Sequence, residues 1–170
     1  MERIGRLTAI YISPEAGDYE NPVPMQEVDE VEVIETGLKG DRYSKDGGFW
    51  QVADQKRPPE KRKLRGVSGF SREDLEKGNL LNDTNIEPID TRRNFEIEGV
   101  GDIQQLIGRT IQIGETVQID LTGDCDSCNR PSRLSGKSGY EKHGKLGGVR
   151  GMPRKDKLGV VKKDDPVFVI

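Results

Sequence analysis

From Thr110 to Leu121 the chain alternates twice between apolar and polar side chains, first in Thr110-Ile111-Gln112-Ile113-Gly114 and then in Thr116-Val117-Gln118-Ile119-Asp120-Leu121. A period of two puts every apolar residue on one face of an extended chain, and the short link at Gly114-Glu115 suits a hairpin or a tight bend. The rest of the composition points the same way. The 21 Gly and 9 Pro are spread along the chain rather than gathered in one tract, and both are costly inside helices. Many short elements separated by turns favour a β-rich architecture over a helical bundle.

Further strands are expected at Ile4 to Ile12, around Val31 and Val33, at Leu64 to Phe70, at Arg92 to Glu98, at Val149 to Met152, at Leu158 to Val161 and at Val167 to Ile170. Ser71 followed by Arg72-Glu73-Asp74-Leu75-Glu76-Lys77 reads as a short capped helix ending at Gly78, with acidic residues in its first turn. Ile103 to Ile107 reads as one helical turn closed by Gly108. The polar region from Ser44 to Lys63 has no periodicity, and a loop of that length is functional or disordered. A chain of 170 residues is expected to form one domain, residues 1–170, large enough to bury a core without disulfides.

The formal charge of −3, from 27 Lys and Arg against 30 Asp and Glu, argues against nucleic acid as the main partner, because phosphate backbones demand a dense basic surface. The basic cluster from Lys56 to Arg65 reads as a solvated loop. No stretch is apolar for long enough to span a bilayer, and Met1-Glu2-Arg3-Ile4 lacks the apolar core of a signal peptide. The expectation is a cytoplasmic protein with no membrane partner. In that reducing compartment the two cysteines serve metal, sulfur or redox chemistry sooner than a structural bridge.

Those two thiols, Cys125 and Cys128, stand together in Gly123-Asp124-Cys125-Asp126-Ser127-Cys128-Asn129-Arg130-Pro131, directly after the second alternating run. A free cysteine is commonly a small buried hydrophobe, but Asp, Ser, Asn and Arg make a poor core segment. Arg130 and Arg133 favour a thiolate, whereas Asp124 and Asp126 oppose it. Three meanings of Cys-x-x-Cys compete. A structural zinc site needs four ligands, and with His143 the one histidine of the sequence, Cys125, Cys128 and His143 would need a carboxylate such as Asp124 to complete it. His143, between Lys142 and Gly144, reads as a solvated loop residue. A thioredoxin-type pair should open a helix within a βαβ unit, whereas Pro131 and Gly-rich sequence follow here. The third meaning is a reactive cysteine with a neighbour.

The order of landmarks is Gly37-Leu38-Lys39-Gly40-Asp41-Arg42, then Arg92-Arg93-Asn94-Phe95-Glu96-Ile97-Glu98-Gly99, then Leu106-Ile107-Gly108-Arg109-Thr110, then Cys125 to Cys128, then Gly147-Gly148 through Asp165-Pro166-Val167-Phe168-Val169. In that order and spacing, from about Ile4 to Ile170, the sequence resembles the MOSC domain family, the domains similar to the C-terminal part of molybdenum cofactor sulfurases. The resemblance implies a mainly β fold, a mostly antiparallel β-barrel with a few short helices. It also implies a molybdopterin-type cofactor and a cysteine that carries sulfur or ligates molybdenum.

Carried over by residue, Cys128 matches the family's cysteine and is the implied metal ligand and catalytic thiol, with Cys125 as its neighbour. Asp41, Arg42, Arg93 and Asn94 match the segments implied to bind the cofactor, and Arg130 is added for its place beside the thiol. The flanks of Cys128, Ser127 before it and Asn129-Arg130-Pro131 after it, depart from the family pattern. Pyridoxal phosphate is not expected, because the domain that generates persulfide in full-length sulfurases lies outside this sequence. An enzyme of this kind reduces N-hydroxylated compounds and needs an electron donor; a carrier assists the assembly of metal–sulfur centres and needs a sulfur donor. Arginine independently suits phosphate through its fork of donors, although an isolated arginine is commonly a solvated ion-pair partner. Two other classes stand beside this reading: a non-catalytic barrel that binds a protein through the Ser44 to Lys63 loop, and a zinc-stabilised structural domain.

Overall fold

The computed structural model describes residues 1–15, 17–45, 47–49 and 52–170. Its elements are β1 (Glu2–Ile12), β2 (Gln26–Val28), β3 (Glu30–Ile34), β4 (Gly37–Leu38), α1 (Arg42–Lys45), β5 (Val67–Ser71), α2 (Arg72–Asn82), β6 (Phe95–Glu98), β7 (Thr110–Ile113), β8 (Val117–Asp124), α3 (Asn129–Ser135), β9 (Val149–Pro153), β10 (Gly159–Lys162) and β11 (Pro166–Val169). Seven of these strands, in the order β1-β6-β5-β9-β8-β7-β11, form a closed barrel in which β11 pairs back onto β1. β2 adds to the far end of β1, and β10, β3 and β4 make a separate three-stranded sheet.

The alternating run folds as its period requires. β7 and β8 are an antiparallel hairpin with Ile111 opposite Ile119 and Ile113 opposite Val117, and these four side chains are buried in the barrel core with Leu7 and Phe95. The turn between them needs Gly114, whose φ of +64° lies in the left-handed region that side chains disfavour. The mainly β barrel is mixed rather than wholly antiparallel: β5 and β6 pair in parallel. A parallel pair needs a crossover, supplied by α2 and the turns after it.

α2 begins where the sequence indicates, with Ser71 Oγ accepting from the Asp74 amide at 2.9 Å, but it runs through Gly78 to Asn82 and ends at Asp83 in the left-handed conformation. Gly78 is therefore a packing position rather than a terminus. A Cβ there would lie 2.3 Å from His143 Nδ1. α2 and a 3-10 stretch, Tyr140–Gly147, pack on the face of β5 turned away from the barrel interior, where Phe70, Leu75, Ile86 and Tyr140 form a second apolar cluster.

Three expectations are corrected here. His143 is 3% exposed rather than solvated, because its Nε2 meets Thr84 Oγ1 at 2.7 Å while the ring lies on Gly78. Pro131 does not exclude a helix: it occupies the first turn of α3, where its missing N–H has no intrahelical partner to lose. The region from Ser44 to Lys63 is not featureless, since Val52–Lys56 and Pro59–Lys61 are 3-10 turns; its residues 46, 50 and 51 lie outside the described residues. Among the described residues, no helix is long and apolar enough to cross a membrane.

Candidate functional site

The cysteine loop leaves β8 at Asp124 and is held from below by Arg93. That arginine is 3% exposed, and its guanidinium donates to four carbonyls: Nη2 to Cys125 O at 2.8 Å and Asp126 O at 3.2 Å, Nε to Gly147 O at 3.2 Å, and Nη1 to Thr91 O at 3.3 Å. Burial alone would lower its pKa, but the nearby Cys125, Tyr140 and Cys128, as anions, outweigh it and leave the guanidinium more firmly protonated than usual. Arg93 is therefore a fixed charge beneath both cysteines, with most of its donors engaged by the backbone. Gln104 Nε2 adds bonds to Asp126 Oδ1 at 2.8 Å and Gly148 O at 2.9 Å. Gly147 lets the two segments touch, since a Cβ there would lie 2.3 Å from the Ser127 amide.

The two thiols are placed unequally. Cys125 is buried, 2% exposed, whereas Cys128 is exposed. Cys128 stands at the N-cap of α3 without making a side-chain cap bond. Because α3 leads into the 3-10 stretch and then into β9, which pairs antiparallel with β8, the Cys-x-x-Cys is not part of a βαβ unit.

Asp41 and Asn94 belong to the scaffold. Asp41 is 2% exposed; its Oδ1 accepts from the Ser13 amide at 2.9 Å and its Oδ2 from the Tyr43 amide at 3.3 Å. Burial raises its pKa against the pull of those amides. Asn94 Oδ1 accepts from the Ser68 amide at 3.0 Å and Nδ2 donates to Tyr11 O at 3.1 Å. Both side chains thus tie the end of β1 to its neighbours and fix the chain on either side of a set of arginines.

That set is Arg42, Arg65 and Arg92. Arg65 and Arg92 are 6% and 5% exposed. The Arg92 backbone is in the left-handed conformation at φ +56°, and Nη1 donates to Val23 O at 2.9 Å. Its Nε and Nη2, with Arg42 Nη1 and Arg65 Nε, are buried without a hydrogen-bond partner. Burial, then the charges of Arg42 and Arg130, push the Arg92 guanidinium down to about 10. Tyr43 lies between the other two, with Arg42 Cζ 4.6 Å and Arg65 Cζ 4.4 Å from its ring centre, and its hydroxyl accepts from Arg42 Nη2 at 2.9 Å. Arg130, in the first turn of α3, is exposed and lies with Arg133 over the Tyr19 ring, at 6.0 and 3.3 Å.

The structure thus brings the Asp41-Arg42 and Arg92-Asn94 segments together, but the guanidiniums with unmet donors are Arg42, Arg92 and Arg65. Arg65 was hidden at the end of a basic run that reads as solvated, and Arg92 by its neighbour Arg93; the Arg92-Arg93 pair and Tyr43 directly after Asp41-Arg42 were the available signals. A buried donor without a partner costs about 1–3 kcal/mol, more when charged, so the arrangement suits an anion. The zinc alternative finds no support in the geometry. Among the described residues no three of His, Cys, Asp and Glu gather to hold a metal, and His143 is engaged with Thr84.

No protein-family model matches the chain, and no curated protein matches it by sequence. Solved structures do resemble it. The crystal structure of the YuaD protein from Bacillus subtilis is 18% identical, with 97% of this chain and 94% of that chain covered and a TM-score of 0.75. YiiM from Escherichia coli is 16% identical over 97% of this chain and 69% of that one, with a TM-score of 0.56. YiiM from Geobacillus stearothermophilus is 11% identical over 99% and 74%, with a TM-score of 0.61. YuaD and YiiM are MOSC-domain proteins, and the chain shares with them a MOSC-type β-barrel fold.

Proposed function

We propose that this chain binds a molybdopterin-type cofactor, with Arg42, Arg65 and Arg92 taking its phosphate and the Cys128 thiolate as the ligand or sulfur carrier beside it. The observation that carries the reading is the set of four buried, unpartnered guanidinium nitrogens on Arg42, Arg65 and Arg92, in a cluster that interacts with Cys125 and Arg130 of the cysteine loop and α3. They supply what a phosphate monoester needs, several N–H donors and positive charge already desolvated. The donor set fits one end of the cofactor, and the exposed thiol of Cys128 offers a soft ligand for the other.

A molybdenum centre, when bound, would supply a two-electron redox couple or accept a sulfido ligand. The chain's own residues bind and orient. Val23 O accepts from one Arg92 nitrogen and so orients the guanidinium. Arg93 fixes the loop that carries Cys125 and Cys128 through the carbonyls of Cys125 and Asp126. Arg130 adds charge where α3 meets Arg92. The exposure of Cys128 leaves it accessible to a sulfur-donor or electron-donor protein.

The test is retention by gently purified protein. Molybdenum, phosphate and the protein mass are measured for wild type, Cys128→Ser and Cys125→Ser. Cys128→Ser is expected to lose metal or the added sulfur mass with an unchanged circular dichroism spectrum, and Cys125→Ser to lose less. Equal retention by wild type and a folded Cys128→Ser protein would exclude Cys128 as the ligand.

A further inference from the structure

Tyr43 is the aromatic side chain against which two of the three arginines lie. Arg42 and Arg65 lie 4.6 and 4.4 Å from its ring centre. Its hydroxyl oxygen already accepts from Arg42 Nη2 at 2.9 Å, and among the described residues nothing takes the hydroxyl's own proton. Asp41, the nearest acid in sequence, does not compete for that proton, since its oxygens accept from backbone amides of Ser13 and Tyr43. A phenol that accepts from a guanidinium and has its hydrogen free is arranged to donate to whatever acceptor enters between the arginines.

We infer that Tyr43 donates its O–H to the oxyanion held by Arg42, Arg65 and Arg92, so that anion binding at this site is coupled to protonation of Tyr43. The inference rests on the arginine pocket described above and adds the residue that makes binding proton-dependent. Electrostatics act in the same direction. Burial alone would raise the Tyr43 phenol, but the charges of Arg65 and Arg42 and the bond from Arg42 outweigh it and set the phenol below its ordinary value. The other charged or titratable groups that act on it are Cys125, which opposes the lowering, and Arg92 and Arg93, whose own proton affinities respond to Tyr43.

Tyr11, where burial and then Glu96 and Glu27 raise the phenol, and Tyr140, where burial outweighs Arg93, move the other way. With the pocket empty, the arginines favour loss of the phenolic proton. A bound phosphate cancels much of their charge and offers an acceptor for that proton, so it holds the proton on the phenol, and where the empty-pocket phenol is ionised binding takes up one proton from solvent. No other bond changes. The favoured ligand is an oxyanion with a free acceptor oxygen, a phosphate monoester or inorganic phosphate, rather than a soft halide.

The experiment is a near-ultraviolet tyrosinate titration of the full chain, with and without inorganic phosphate, in wild type, Tyr43→Phe and Arg92→Gln, beside calorimetric phosphate binding in each. Tyr43→Phe keeps the ring between the guanidiniums and removes only the hydroxyl. Wild type is expected to show a tyrosinate step below those of Tyr11 and Tyr140 and absent in Tyr43→Phe, and phosphate is expected to move that step up by about one pKa unit. Tyr43→Phe should bind phosphate several-fold more weakly and should lose the part of the wild-type pH dependence that follows the Tyr43 step. If Arg92→Gln loses phosphate binding while Tyr43→Phe binds as wild type does and the step ignores phosphate, the role given to Tyr43 is wrong and the pocket stands. If wild type binds no phosphate, or Arg92→Gln binds it equally well, the pocket itself is refuted and the Tyr43 coupling with it.

Discussion

Replacing Arg93 by alanine separates a loop-holding arginine from a ligand-binding one. The guanidinium is 3% exposed and serves four carbonyls. After its removal Gly147 O keeps the Tyr140 hydroxyl at 3.1 Å, and the exposed Asp126 leaves its carbonyl within reach of water. The carbonyls of Cys125 and Thr91, in residues 2% and 0% exposed, lose their donor. Two such orphans cost about 1–3 kcal/mol each, and the space left by the side chain adds to that.

Relief from burying a cation offsets part of the loss, so the net destabilisation is expected at about 3 kcal/mol. For a chain of this size that lowers the melting temperature by roughly 6–12 °C. Arg93→Lys keeps the charge but concentrates its donors on one nitrogen, so it should recover less than half. The assays are thermal melting and alkylation by a thiol reagent. In wild type Cys128 should react quickly and the buried Cys125 slowly, whereas in Arg93→Ala the loosened loop should expose Cys125 to the reagent. A melting temperature within about 2 °C of wild type together with unchanged Cys125 protection would refute the argument, because it would mean that the guanidinium bonds hold nothing.

Two more expectations concern the layer outside the barrel. Gly78→Ala gains about 1 kcal/mol of helix propensity but puts a Cβ 2.3 Å from His143 Nδ1, on a ring held by Thr84 at 2.7 Å. Overpacking costs about 1–3 kcal/mol, so urea unfolding should show a net loss in Gly78→Ala that turns into a gain when His143→Ala is already present; a more stable Gly78→Ala single variant contradicts this. His143 is also expected to make the fold acid-sensitive. Burial holds its pKa below the ordinary 6.5, with Glu141 pulling weakly the other way. The unfolded chain therefore takes up a proton that the folded chain refuses, and the stability contributed by the neutral ring, full above 6.5, is lost as pH falls below it. Asp41 and Asp74, raised by burial, act with the opposite sign at lower pH, losing their contribution as pH rises through their folded values. Urea midpoints measured from about pH 7.5 to about pH 5 should fall in wild type and fall less in His143→Gln; parallel curves would remove His143 from the account.

The barrel was legible where a side chain's environment follows from its near neighbours in sequence. The alternation of Thr110 to Leu121 and the Ser71 cap of α2 are local signals, and the structure follows both. What stayed hidden depends on partners far along the chain. Gly78 looked like a helix stop because glycine usually is one; it is inside the helix because His143, 65 positions later, needs the room. His143 looked solvated beside Lys142 and Gly144, and its partner Thr84 could not be read from them. The parallel pairing of β5 and β6 leaves no trace in either strand's own alternation. The MOSC-like landmarks named segments that the fold brings together, but sequence order could not say which arginine of Arg92-Arg93 faces inward to the cysteine loop. Nor could it show that Arg65, last in a basic run, is the buried member of that run.

Closure of the barrel has a kinetic meaning as well. The strands that complete the ring are the earliest and latest of it, Glu2 standing opposite Val169. The β7–β8 hairpin can form as soon as it is made, but β1 and β7 each keep an open edge until β11 arrives to lie between them. During synthesis at about 5–20 residues per second, an incomplete sheet with two unpaired edges persists for seconds. Unpaired edges are templates for association with other chains, and the long loop that must close slows the final step. The interval before β11 docks is therefore when this chain is most exposed to misassembly, and a chaperone that shields the free edge of β1 would act there.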